Sequence, residues 1–184
     1  MRNFRKIVSA FAAFATITAA NISSANAETG ANIALIMDAS GSMRAKLGDG
    51  KTRINSAKAA IETFTKTLPA DSNISFRAYG HQSHRSEKNC KDTQMLVPFG
   101  KMSDVSGQIV EAASGLKAQG YTPISHVLGL AAQDLKPLEG TKTVVLVSDG
   151  KETCSGDPCL VAKQLAEADV GLVVHTVGLG VDAT

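Results

Sequence analysis

The sequence predicts an α/β fold: a doubly wound, mostly parallel sheet with helices on both faces. Two observations carry this. The continuous apolar run Ile33–Met37 reads as a strand buried on both faces, and Thr143–Val147 and Leu172–Val177 read as further strands. Between them lie segments with apolar residues at helical spacing, and strands alternating with helices favour right-handed crossovers and a parallel sheet.

In chain order, Ile33–Met37 is the first strand and Lys46-Leu47-Gly48-Asp49-Gly50 a turn-rich loop. Ile54, Ala57, Ile61, Phe64 and Leu68 mark the first helix, which Pro69 ends. Ile74–Gly80 is a second strand, and 81–94 is a polar loop rich in His, Lys and Ser. Met95–Val97 reads as a short edge strand stopped by Pro98. Val105, Ile109, Ala112 and Leu116 form a second helical stripe. Ile124, Val127, Leu128, Ala131 and Leu135 form a third, with Pro123 in the first turn, where its missing N–H costs nothing. Thr143–Val147 is a central strand, Pro158–Ala168 a fourth helix, and Leu172–Val177 a last strand. Residues 28–184 are expected to form one domain, long enough to bury a proper core.

The first 27 residues read as an export signal. Arg2, Arg5 and Lys6 form a positive start, Ile7–Ala20 is uncharged, and Ala25-Asn26-Ala27 offers a small-x-small cleavage site. A membrane anchor is the competing reading, but a span needs roughly 20 apolar residues and this run is shorter and rich in Ala and Thr. Export to the periplasm or the extracellular space is therefore expected, without stable membrane insertion after cleavage. Of the 19 basic and 17 acidic residues, three basic ones lie in this segment. The rest of the chain is near neutral and lacks the basic stripe that a phosphate backbone requires, which argues against nucleic acid as a partner.

An exported chain makes a disulfide plausible for Cys90, Cys154 and Cys159. Three cysteines allow one bond. Cys154 with Cys159 would close a small loop, Cys90 could join either, and the sequence does not choose. Three thiols without paired CxxC spacing make a poor zinc site.

Candidate chemistry gathers at strand ends. Asp38-Ala39-Ser40-Gly41-Ser42 follows the first strand, Gly120-Tyr121-Thr122-Pro123 precedes a helix, and Val144–Val147 runs into Ser148-Asp149-Gly150. Asp38, Ser40, Ser42, Thr122 and Asp149 supply two carboxylates and three hydroxyls, with no His or Cys. That hard-oxygen set suits Mg²⁺, or Mn²⁺ in its place. In an open doubly wound sheet, ligands sit beyond the carboxyl ends of strands where strand order reverses, so Asp38 and Asp149 should meet there.

These three segments resemble the metal-ion-dependent adhesion site of the von Willebrand factor A domain, and the likeness covers about residues 32–180. The run Asp149-Gly150-Lys151-Glu152-Thr153-Cys154 is similar to exported bacterial members. The resemblance implies that Ser40 and Ser42 bind Mg²⁺ through hydroxyls and Thr122 directly or through water. Asp38 and Asp149 would act mostly through water and by orienting the hydroxyls. It further implies a non-catalytic protein-binding device that accepts an Asp or Glu carboxylate from a protein partner. Family members usually continue past the strand at 172–177 with another helix and often a further strand. The sequence ending at Thr184 implies a longer parent chain or an uncovered end of the sheet.

Four other readings compete. Ala45-x-x-x-x-Gly50-Lys51-Thr52 fits a relaxed P-loop, but seven residues separate it from the strand that a P-loop follows directly, so a solvated turn is expected. His81-x-x-His84 lacks a third ligand, and His126 and His175 fit ordinary helix and strand positions. Ser40 lacks the Gly-x-Ser-x-Gly elbow of a serine hydrolase. A Mg²⁺-dependent hydrolase or phosphotransferase would need a base near the metal, and Glu152 is the only nearby acid that could serve.

Overall fold

A computed structural model describes residues 30–168 and 172–180; the expected signal segment lies outside them. Five strands form one sheet in the order β3-β2-β1-β4-β5: β1 Asn32–Asp38, β2 Asn73–Tyr79, β3 Thr93–Lys101, β4 Lys142–Ser148 and β5 Leu172–Gly178. All neighbours run parallel except β2 and β3. The expected mostly parallel, doubly wound sheet is what forms.

The period-two direction of strand side chains splits β1 between two cores, which is why its whole length reads apolar. Ile33, Leu35 and Met37 pack with helices α1 (Arg53–Thr67) and α2 (Met102–Gly115), through Ile54, Ile61 and Ile109. Ala34 and Ile36 pack with α3 (Ile124–Leu135), through Val127, Leu128 and Leu135. Helix α4 (Pro158–Ala168) adds Val161 and Leu165 to the second core. On the α1 side of β4 and β5, Val145, Val147, His175 and Val177 line a cavity of about 670 Å³ together with Phe64.

One strand is longer than its sequence suggests. β3 does not stop at Pro98 but runs nine residues, to Lys101. It is the antiparallel edge strand, paired with one neighbour only, so a missing N–H on its free side breaks no ladder bond. Its register against β2 shifts between the Phe76–Val97 and Ile74–Gly100 pairs, and Pro98 lies in that irregular stretch. The other expected elements form close to their predicted limits, with α2 beginning three residues before Val105, and Pro123 takes the cap position just before α3.

The P-loop-like stretch is a turn. Lys46 pairs with Thr52, Gly50 sits at φ +82°, and Thr52 caps α1 by accepting from the Asn55 N–H. No strand feeds it directly, as the sequence spacing required.

Candidate metal centre

Strand order reverses at β1, since β2 and β3 lie to one side and β4 and β5 to the other. Asp38 ends β1 and Asp149 follows β4, its immediate neighbour, so both carboxylates reach the same rim.

Two glycines bring the middle segment there. Residues 119–120 lie alongside 39–41: the Gln119 N–H donates to the Ala39 carbonyl at 3.0 Å and the Gly41 N–H to the Gly120 carbonyl at 2.9 Å. Gly80, at φ +70°, allows this approach. A Cβ there would stand 2.6 Å from the Tyr121 carbonyl oxygen and 2.9 Å from Ser40 Cα. At Gly120 a Cβ would meet Gly80 Cα and an Asp92 carboxylate oxygen at 2.9 Å each. Thr122 is thereby delivered to the crevice between Ser40 and Asp149.

All five residues named from the sequence converge. A Cβ built on Gly150 would lie 3.6 Å from Ser42 Oγ, 3.9 Å from Thr122 Cγ2 and 4.0 Å from Asp38 Oδ2. Ser40 Oγ and Ser42 Oγ share a hydrogen bond at 3.0 Å, and Ser42 Oγ donates to Asp149 Oδ1 at 2.9 Å. Asp38, Ser40, Thr122 and Asp149 are buried, and Ser42 is half-buried.

Both carboxylate oxygens of Asp38 accept hydrogen bonds from the protein. Its Oδ1 accepts from the Ser40 N–H at 2.7 Å and its Oδ2 from the Ser148 hydroxyl at 2.6 Å. Tyr79 in turn donates to Ser148 Oγ at 3.1 Å. Asp38 is therefore built to hold the Ser40 backbone in place. Burial raises its carboxyl pKa above the usual carboxylate value, against the lowering effect of these hydrogen bonds. The Tyr79 phenol is pushed well above its ordinary value, by burial first and then by the nearby Asp38 charge.

Sequence reasoning missed Arg53. Its guanidinium donates through Nη1 to Asp149 Oδ2 and through Nη2 to the Gly180 carbonyl at 3.2 Å. It also missed Ser148 and Thr153 as supports. The Thr122 N–H donates to Thr153 Oγ1 at 2.8 Å, and the Thr153 N–H returns to the Thr122 carbonyl at 3.1 Å. Ser148 was visible as part of Ser-Asp-Gly; Arg53 gave no signal beyond its place at a helix start.

The oxygens fit a small hard divalent cation. In an octahedral shell with bonds of about 2.0–2.1 Å, neighbouring ligand atoms lie about 2.9 Å apart. Ser40–Ser42 and Ser42–Asp149 have that separation, at 3.0 and 2.9 Å. Both hydrogen bonds of Thr122 are made by its backbone, which leaves its hydroxyl uncommitted among the described residues. Among those residues no cluster of three or more His, Cys, Asp or Glu could hold a metal instead. His84 caps a 3-10 turn at 85–87, and His81 faces Gln94.

The cysteine alternatives resolve to Cys90–Cys154, with Cα atoms 5.6 Å apart, and Cys159 is an exposed free thiol on α4. The bond ties the loop after β2 to the loop that carries Asp149 and Thr153. Among the described residues no helix is long and apolar enough to cross a membrane.

Comparison with known proteins agrees with this fold. The von Willebrand factor type A domain profile matches residues 33–152, and the chain belongs to that family. It is 31% identical over 157 residues to the uncharacterized protein YwmD of Bacillus subtilis (strain 168), covering 82% of this chain and 69% of that one. Among solved structures, the fold is similar to the pilus adhesin SpaC of Lactobacillus rhamnosus GG, with a TM-score of 0.65 and 18% identity. That match covers 82% of this chain and spans about a quarter (24%) of the adhesin. A von Willebrand factor type A protein from Catenulispora acidiphila matches with a TM-score of 0.63 and 19% identity, over 82% of this chain and 33% of that one.

Proposed function

We propose that the chain is a non-catalytic, metal-dependent protein-binding module, exported to the periplasm or the extracellular space. Mg²⁺ or Mn²⁺ would be held at the rim of the sheet by Ser40, Ser42 and Thr122, with Asp38 and Asp149 orienting them. The observation that carries this is the meeting of three distant segments in one crevice, where Ser40, Ser42 and Asp149 oxygens stand 3.0 and 2.9 Å apart in succession and Thr122 lies beside them.

The donor chemistry explains why binding is the expected outcome. Neutral hydroxyls leave the charge of a divalent ion under-neutralised, and a bound ion would supply an open coordination position for a carboxylate of a protein partner. Asp38 contributes by fixing Ser40 through its backbone N–H, and Arg53 by balancing the charge of Asp149.

A Mg²⁺-dependent hydrolase is less well supported. Both oxygens of Glu152, the one candidate base, accept backbone N–H groups: Ser125 at 2.8 Å and Cys154 at 2.7 Å. A carboxylate braced in this way caps a helix and a loop, and it is poorly placed to take a proton from water. The fold shared with a pilus adhesin and the Cys90–Cys154 bond, of a kind that persists in oxidising compartments, favour a binding role outside the cytoplasm.

The test is capture of an immobilised peptide bearing a single Glu. Binding in Mg²⁺, its loss in EDTA and its loss in Ser40→Ala are expected. Capture that ignores EDTA would reject the metal-dependent reading, and phosphoester turnover lost on Glu152→Gln would favour the enzyme.

A further inference from the structure

The loop between β2 and β3 runs beside the metal centre and carries a charge pattern that the centre itself does not need. Its acids are turned to its own backbone. Glu87 Oε1 accepts from the His84 N–H at 2.8 Å, and the buried Asp92 carboxylate accepts from the N–H groups of Gln82 and Ser83. Its bases have no such partners among the described residues. Arg85, Lys88 and Lys91 are exposed and, among the described residues, form no ion pair.

Three features fix this basic face next to the crevice. The Arg85 guanidinium lies 5.5 Å from the centre of the Tyr121 ring, and Tyr121 adjoins Thr122. A cation–π contact of this kind holds the guanidinium near the ring while leaving its N–H groups open to a carboxylate. The Cys90–Cys154 bond clamps the far end of the loop to the segment after Asp149, where Lys151 is also exposed. At its near end, the Gly120 N–H donates to the Gly80 carbonyl at 2.8 Å.

We propose that the 85–91 face, with Tyr121, is a second contact surface that selects an acidic protein segment, one with several Asp or Glu residues flanking the carboxylate at the metal. The inference rests on the metal-binding reading and specifies the partner. Unpaired bases around a site steer an oppositely charged ligand and discriminate against neutral ones. A nucleic acid is disfavoured because three bases on one loop fall short of the basic stripe that a phosphate backbone requires, and Tyr121, the aromatic beside the centre, lies under Arg85.

Two synthetic peptides test it, one of six consecutive Glu and one with a single Glu among Gly and Ser. Binding of each is measured in Mg²⁺ and in EDTA, at several salt concentrations. Wild type should bind the six-Glu peptide at least tenfold more tightly, with a steeper salt dependence. The triple variant Arg85→Gln, Lys88→Gln, Lys91→Gln should lose that preference while keeping wild-type affinity for the single-Glu peptide.

Equal affinity for both peptides in wild type, or an undiminished preference in the triple variant, overturns the inference and leaves the metal reading intact. A preference that survives EDTA and disappears in the triple variant upholds the basic face while removing the metal from it. No binding of either peptide overturns both. Single-stranded DNA bound more tightly than the six-Glu peptide at equal salt overturns the choice of a protein partner.

Discussion

Ser42 and Asp149 stand 107 residues apart in sequence, yet their side chains lie within 2.9 Å of each other across the point where strand order reverses. That contact joins the loop after β1 to the loop after β4. Each residue has a further tie, Ser42 to Ser40 and Asp149 to Arg53.

The Arg53–Asp149 pair leads to the first prediction. The Asp149 side chain is wholly buried, while that of Arg53 is 24% exposed. Removing one partner of a buried pair typically costs about 3–5 kcal/mol, and partial exposure of Arg53 puts Arg53→Gln near about 3 kcal/mol. Urea unfolding in EDTA should register this loss. Added Mg²⁺ should reduce it, because a cation beside Asp149 replaces the missing charge. An equal loss in both conditions would mean that no cation reaches Asp149.

Asp38 should trade stability for binding. Its raised pKa means that, without metal, its ionised form is penalised by burial; the stability linked to its protonated form is present at acidic pH and is lost as pH rises through that elevated value. Asp38→Asn removes the charge, so its melting temperature in EDTA at neutral pH should match or exceed that of wild type. Mg²⁺ should raise the melting temperature of wild type and not that of the variant. A variant that melts far below wild type in EDTA would show that the Ser148 and Ser40 hydrogen bonds outweigh the burial penalty.

The disulfide closes a loop with a sequence separation of 64, which in the chain-entropy picture stabilises by about 4 kcal/mol. Cys90→Ser should therefore shift the urea midpoint strongly, and Cys159→Ser, at an exposed free thiol, should leave it unchanged. A large shift for Cys159→Ser and none for Cys90→Ser would point to a Cys154–Cys159 bond instead.

Gly80→Ala should harm both fold and site. Its positive φ and the 2.6 Å approach to the Tyr121 carbonyl leave a methyl nowhere to go except by moving the 119–122 segment away from Ser40. Loss of Mg²⁺ affinity together with lowered stability is expected; unchanged affinity would free Thr122 from the centre.

Much of this was readable in advance because it depends on local rules. The apolar runs of β1 and β4 are near-continuous because both faces are buried, and the oxygen-bearing residues stand where those runs stop. Pro98 misled because a proline interrupts a strand only where its N–H is needed, and an edge position on β3 cannot be told from the residues around it. The Cys90–Cys154 pairing and the Arg53–Asp149 contact depend on how separate loops fold back over the rim, which no spacing rule encodes. Nothing in the residues around Glu152 announces its two backbone partners.

The most direct measurement is a calorimetric titration of the chain with Mn²⁺, repeated on Ser42→Ala and Asp149→Ala variants whose circular dichroism confirms folding. One ion bound per wild-type chain, reversed by EDTA and weakened at least tenfold in each variant, is the expected result. No uptake by wild type, or equal uptake by all three proteins, would contradict a metal centre built from these segments.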